Sequence, residues 1–357
     1  MRTFGNILVT GGAGFIGSNF IRYVFQQPEF TGRIINLDKL TYAGNEQNLD
    51  DVKLSAGDRY VLVNADICDF SSVCRCMAQY DVDCIVHFAA ESHVDRSIHG
   101  PAEFIRTNIN GTFTLLEACR LVWGDRKDVL FHHVSTDEVF GSLGETGYFY
   151  ETTPYDPRSP YSASKASSDH LVMSYFHTYG LKVTLSNCSN NYGPFQSPEK
   201  LIPSMLKKML SGEQLPIYGD GMNIRDWLYV SDHCGAVWDV IKRGAVGQRY
   251  NVSGENELNN LAVVGRLCGL VSDRTGKSRD FYKGLIVFVE DRQGHDRRYA
   301  VKCDKIMSEL GWKRTVAFDE GLSLTVNWYL ANYEWLEFMD KRIGSETLGT
   351  KISGNNQ

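Results

Sequence analysis

Residues Asn6 to Gly17 read N-I-L-V-T-G-G-A-G-F-I-G, and the fold turns on them. Asn6 to Thr10 is a short apolar strand, and a helix-like run follows the glycines to about Phe25. Gly12, Gly14 and Gly17 satisfy G-x-G-x-x-G, while Gly11, Gly14 and Gly17 give the G-x-x-G-x-x-G variant. Glycines so placed allow a tight turn, let backbone N–H groups approach a pyrophosphate and bring the helix against the sheet. The pattern alone is weak. A strand before it, a helix after it and a second strand over residues 33–37 ending in Asp38 make it specific. A carboxylate there grips a ribose 2′-hydroxyl and repels a 2′-phosphate, which favours NAD over NADP, although Lys39 beside it weakens the exclusion.

Outward from this turn, strands and helices keep alternating. Residues 60–64 form a strand before Asp66 and Ile67, residues 71–79 a helix, and residues 84–89 a strand that runs into A-A-E-S-H-V-D-R-S. One long helix is expected over residues 101–123, then strands over 129–135 and 182–187. This alternation predicts an α/β protein with a Rossmann-like, doubly wound parallel sheet and right-handed crossovers. Gly11, Asp38, Asp66, Ala90 and Thr136 then reach one sheet edge, where such folds bind ligands. Beyond residue 188 the alternation loosens into a smaller α+β lobe, with helices near 202–211, 230–242 and 261–270. The division is therefore 1–188 for the dinucleotide, 189–343 mainly for substrate, and a polar tail, 344–357, expected to be disordered.

The second informative stretch starts at Phe131, F-H-H-V-S-T-D-E-V-F-G, and resumes after a short loop as S-P-Y-S-A-S-K, ending at Lys165. A buried strand delivers Thr136, Asp137 and Glu138 to the ligand edge, so a hydroxyl and two carboxylates meet there. Tyr161 and Lys165, four apart at a helix start, share one face. An ammonium there favours phenolate and lowers the tyrosine pKa toward that of a useful base.

The totals exclude several classes. The 357 residues suffice for one large or two ordinary domains, and 43% hydrophobic with 22% charged residues is a soluble globular composition. A net charge of -6 gives no general attraction to nucleic acid or anionic membrane. No apolar run approaches the ~20 residues of a membrane helix, and the chain enters its first strand without a signal-peptide pattern, so a cytoplasmic location is expected. Nine scattered cysteines, with Cys74 and Cys76 lacking a second ligand cluster, read as reduced thiols without a metal. Lys200, Arg225, Arg292, Arg297 and Arg298 supply local positive charge suited to a diphosphate.

In their order, G-G-A-G-F-I-G, T-D-E and Y-x-x-x-K resemble the extended short-chain dehydrogenase/reductases that act on nucleotide sugars, over nearly the whole chain to about Trp335. N-L-D-K-L-T-Y-A-G-N, A-A-E-S-H-V-D-R-S-I, V-S-T-D-E-V-F-G and E-D-R-Q-G-H-D-R-R-Y-A resemble the branch that dehydrates dTDP-glucose. The resemblance implies a lyase that loses water across C5 and C6 to leave a 4-keto-6-deoxy sugar. Tyr161 would take the 4-hydroxyl proton, Lys165 would hold the nicotinamide ribose, and Thr136 would bond the 4-oxygen. Glu138 would remove the C5 proton and Asp137 would protonate the departing 6-hydroxyl; two neighbouring carboxyls with pKa values pushed apart can divide acid from base.

For NAD the resemblance implies Gly11, Gly14, Phe15, Ile16, Gly17, Asp38, Lys39, Thr41, Gly44, Asp66, Ile67, Ala90, Ser92 and Thr107, besides Tyr161 and Lys165. For the nucleotide sugar it implies Ser92, Thr136, Asn190, Lys200, Leu201, Pro216, Tyr218, Arg225, Asn260, Arg292 and His295. It further implies a homodimer through a four-helix bundle of the helices around 101–123 and 161–179. Gln293 departs from the usual proline, and the loop over 143–150 is short. Three other readings stay open: the same chemistry on UDP-glucose, a 4-epimerase needing Tyr161 and Lys165 without the carboxyls, and a sugar-nucleotide binding protein without turnover.

Overall fold

The computed structural model describes residues 1–291 and 294–353. The main sheet starts with β1 (Asn6–Thr10), β2 (Arg33–Asp38), β3 (Tyr60–Asn64), β4 (Cys84–His87), β5 (Leu130–Thr136) and β6 (Val183–Cys188). Arg249–Val252 adds a seventh strand beside β6, so the order across the sheet is β3-β2-β1-β4-β5-β6 and then Arg249–Val252. Every neighbouring pair is parallel. The winding reverses between β1 and β4, which opens a crevice at the carboxyl ends of those strands.

Side-chain alternation divides the core in two. Ile7 and Val9 of β1 enter one face with Phe20, Val24, Val237 and Ile241, from helices Phe15–Phe25 and Val230–Arg243. Leu8 enters the other face with Leu115, Leu116 and Val172, from helices Gly111–Trp123 and Pro160–Tyr179. A strand covered on both faces reads as a continuous apolar run. Each aliphatic side chain buried this way contributes about 1.5–3 kcal/mol.

The smaller lobe holds a three-stranded sheet of Asn190–Tyr192, Ile224–Tyr229 and Glu257–Asn259, and a parallel pair of Leu215–Tyr218 with Ile286–Val289. Its core gathers Tyr192, Leu267, Leu322 and Tyr329. No helix among the described residues is long and apolar enough to cross a membrane.

Three features differ from expectation. Helix Val230–Arg243 and strand Arg249–Val252 return to the main sheet from within the second half of the chain. Four residues carry too little periodicity to announce such a strand. The expected long helix is broken into Pro101–Phe104, a π-helical stretch Ile105–Asn110, and Gly111–Trp123. There Asn108 takes the Glu91 N–H at 2.8 Å and donates to the Glu91 carbonyl at 3.0 Å and to Ser164 Oγ at 2.8 Å. Gly111 follows because a Cβ would collide with Ile67. Helix Tyr333–Ser353 covers 344–353, part of the tail expected to be disordered, because an established helix extends at small cost. Residues 354–357 lie outside the described residues.

Candidate active site

The sheet's crevice is a cleft of about 320 Å³. All sixteen positions expected to contact the dinucleotide line it, from Gly11 through Thr107 to Tyr161 and Lys165. The turn after β1 fits a pyrophosphate. Helix Phe15–Phe25 starts at Gly14 with no side-chain cap and no acidic residue in its first turn, so the positive end of the helix is left for an anion. Gly11 has φ +71°, and a Cβ added there would stand 2.7 Å from the Ala89 backbone. At Gly17 a Cβ would collide with the Gly11 carbonyl oxygen. Asp38 ends β2 with its carboxylate accepting from Ala13 N–H at 2.9 Å and Leu40 N–H at 2.8 Å. Burial pushes its pKa up, while those two N–H bonds and the Arg342 charge pull it down. The uncapped turn and this carboxylate together suit an NAD-type ligand.

At the end of β5 the two carboxyls differ in setting. Asp137 is buried, and burial, then the charges of Glu138 and Asp226, hold its pKa well above the ordinary carboxylate range against the pull of Arg225. Glu138 is only half-buried. Thr136 links the two carboxyl positions: its hydroxyl donates to Asp137 Oδ1 at 3.3 Å and accepts from Glu138 N–H at 3.3 Å. A buried carboxyl with a raised pKa thus stands beside a more exposed one, a difference in setting that can divide acid from base in the elimination of water.

The tyrosine corrects the sequence reading. Its phenol pKa lies well above the ordinary value because of burial and then the Glu138 charge. Lys165 does not reverse this, since its ammonium donates to the Val134 carbonyl at 2.9 Å. Burial lowers the Lys165 pKa to about 8, although Asp169 raises it.

Asp169 was not foreseen, yet it stands one further turn along the same helix face. Its Oδ2 accepts from Ser135 at 2.9 Å, Tyr155 at 2.5 Å and Asn187 at 3.3 Å, and its Oδ1 lies 3.3 Å from His133 Nε2. The i,i+4 spacing from Lys165 was the available signal. Glu199 was also passed over beside Lys200; it lines the cleft, and burial raises its pKa.

Of the positions expected to hold the sugar nucleotide, Ser92, Thr136, Asn190 and Lys200 line the cleft, and Lys200 Nζ donates to the Ser92 carbonyl at 3.0 Å. Leu201, Pro216, Tyr218, Arg225, Asn260 and His295 are outside its wall, in the smaller lobe. There the Tyr218 ring is 6.4 Å from His295, and Arg225 lies 4.3 Å over the Tyr299 ring. Arg297 is paired with Asp220 and Arg298 with Glu257. Arg292, and Gln293 beside it, lie outside the described residues.

A family model described as GDP-mannose 4,6 dehydratase matches residues 8–325. A protein of Xanthomonas campestris pv. campestris named dTDP-glucose 4,6-dehydratase is 50% identical over 355 residues, covering 97% of this chain and 99% of its own. The crystal structure of a dTDP-glucose 4,6-dehydratase from Bacillus anthracis in complex with NAD matches with a TM-score of 0.84 and 45% identity, over 94% of this chain and 99% of that one. A Streptomyces venezuelae dTDP-glucose 4,6-dehydratase with NAD and TDP bound matches with a TM-score of 0.85 and 44% identity, over the same 94% and 99%.

Proposed function

The chain belongs to the GDP-mannose 4,6 dehydratase family, and from that premise we propose that it is an NAD-dependent hydro-lyase converting dTDP-glucose to its 4-keto-6-deoxy product. The observation that carries this reading is the buried Asp137, its pKa held up by burial and the Glu138 charge, beside the half-buried Glu138, both at the strand end that faces Tyr161. Epimerisation at C4 has no use for such a pair.

NAD held by the glycine turn and Asp38 would supply an acceptor for the C4 hydride, a donor of it to C6, and the positive charge of an oxidised ring in the cleft. Tyr161 removes the 4-hydroxyl proton, its high pKa being offset by that charge. Thr136 orients the 4-oxygen. Glu138 takes the C5 proton, acidic once C4 is a ketone, exchanges it with water on its more exposed side, and delivers a solvent proton back to C5. Asp137 protonates the 6-hydroxyl, which leaves as water. The proton count closes: Tyr161 gains the one proton that Asp137 gives up. Exchange with water between turnovers returns both groups to their starting states.

The cofactor half of the site draws on residues 1–188, and the base and diphosphate would be held by residues 189–343, chiefly near Pro216, Tyr218, Arg225 and His295. Phe113 and Leu121 on helix Gly111–Trp123, 48% and 67% exposed, and Tyr179, 51% exposed at the end of Pro160–Tyr179, support a homodimer formed as a four-helix bundle. Light scattering should find a dimer that Phe113→Asp splits. The proposed location is the cytoplasm, where fractionation should recover the activity.

The direct test of the reaction is incubation with dTDP-glucose and NAD, read by mass. Loss of one water from dTDP-glucose, with a higher kcat/KM than for UDP-glucose, is expected. An unchanged mass at saturating NAD would reject the assignment.

A further inference from the structure

Helix Tyr333–Ser353 bridges the two halves of the molecule in a way the reaction scheme leaves unexplained. Leu336 anchors it in the core of the smaller lobe, and Asp340 pairs with Lys207 at 2.5 Å. Its other face crosses to the rim of the dinucleotide cleft. Met339, 1% exposed, is part of the cleft wall. Arg342 donates to the Leu40 carbonyl at 2.8 Å, and Trp335 Nε1 donates to Asn48 Oδ1 at 2.8 Å.

Both contacts lead to the groups that shape the cofactor site. Leu40 has φ +54°, a left-handed conformation costly for leucine, and its N–H binds Asp38. Asn48 donates to the Ala13 carbonyl at 2.9 Å, within the glycine turn, and the Ala13 N–H in turn binds Asp38 at 2.9 Å. The helix therefore holds both sides of the Asp38 carboxylate, at the end of β2 where the adenosine ribose of a dinucleotide lies in such sheets. A second cavity of about 220 Å³, lined by Leu40, Gly44, Asn45, Phe338 and Arg342 among others, separates helix and loop. On the side of residues 40–47 the contact is thus a directed bond from Arg342 beside a gap, while Leu336 and Trp335 anchor the helix in the smaller lobe, the construction of a hinged latch.

We infer that helix Tyr333–Ser353 is a latch on the adenosine end of the NAD site, with Arg342 and Trp335 as the residues that hold it shut. This rests on reading the cleft as an NAD site. The reaction gives it a purpose: the hydride taken from C4 must come back to the same sugar, so the cofactor must not leave within a turnover.

The test uses the full-length protein and NAD as probe. NAD dissociation is followed by displacement in stopped flow, and retained NAD is measured after gel filtration. Arg342→Ala removes one charged donor, and about a 10-fold faster dissociation is expected. Trp335→Phe keeps the ring and loses its N–H; about a 3- to 10-fold acceleration is expected. Glu334→Ala, exposed on the same helix, should match the parent protein. Parental dissociation rates in both Arg342→Ala and Trp335→Phe would overturn the latch. A parent protein that does not bind NAD would overturn the cofactor reading and the latch with it.

Discussion

Glu138→Gln is expected to lower dehydration of dTDP-glucose by about 100- to 10,000-fold, the range for loss of a positioned general base. Oxidation at C4 should survive, because Tyr161, Lys165 and Thr136 are untouched. The variant should then accumulate reduced cofactor, visible as a rise in absorbance at about 340 nm of near one equivalent per site, without release of 4-keto-6-deoxy product. Adding Asp137→Asn should remove the acid as well and leave the early oxidation in place. Asparagine is nearly the same size as the neutral, buried carboxyl it replaces, so folding should be retained. A double variant that keeps near-parental dehydration would assign the elimination to other groups.

Tyr161→Phe should have a comparably large effect at the opposite end of the sequence. Without the phenol no group takes the 4-hydroxyl proton, so reduced cofactor should not form and turnover should fall by about 100- to 10,000-fold. The pH dependence carries a second sign. Lys165 acts in its protonated form, and because its pKa is lowered to about 8, that form is present below pH 8 and lost as pH rises through it. Turnover of the parent should therefore decline on the alkaline side near pH 8. Asp169→Asn removes the neighbouring charge that raises the Lys165 pKa, so the decline should move to lower pH. Rates measured from pH 6 to 9 with parent and variant check this. An alkaline limb that stays in place would separate Asp169 from the lysine.

The sequence disclosed what short-range patterns encode. The strand, glycine turn and helix at Asn6–Phe25 and the carboxylate at Asp38 announced the cofactor half because glycine spacing and strand ends are local properties. Thr136, Asp137, Glu138, Tyr161 and Lys165 were legible for the same reason, and the fold gathers them in one cleft. Long-range consequences were hidden. The direction of the Tyr161 pKa depends on burial and on a glutamate from another element, which spacing to Lys165 does not register. The network around Asp169 joins β5, β6 and the loop at Tyr155, partners 14 to 36 residues away along the chain. The reach of Arg342 to Leu40 spans 302 residues and leaves no periodic trace.

In the proposed reaction a hydride leaves one carbon of the sugar and returns to another. dTDP-glucose carrying deuterium at C4 should yield product with that deuterium at C6, alongside solvent-derived hydrogen at C5. Deuterium lost to solvent, or still at its original carbon, would contradict it.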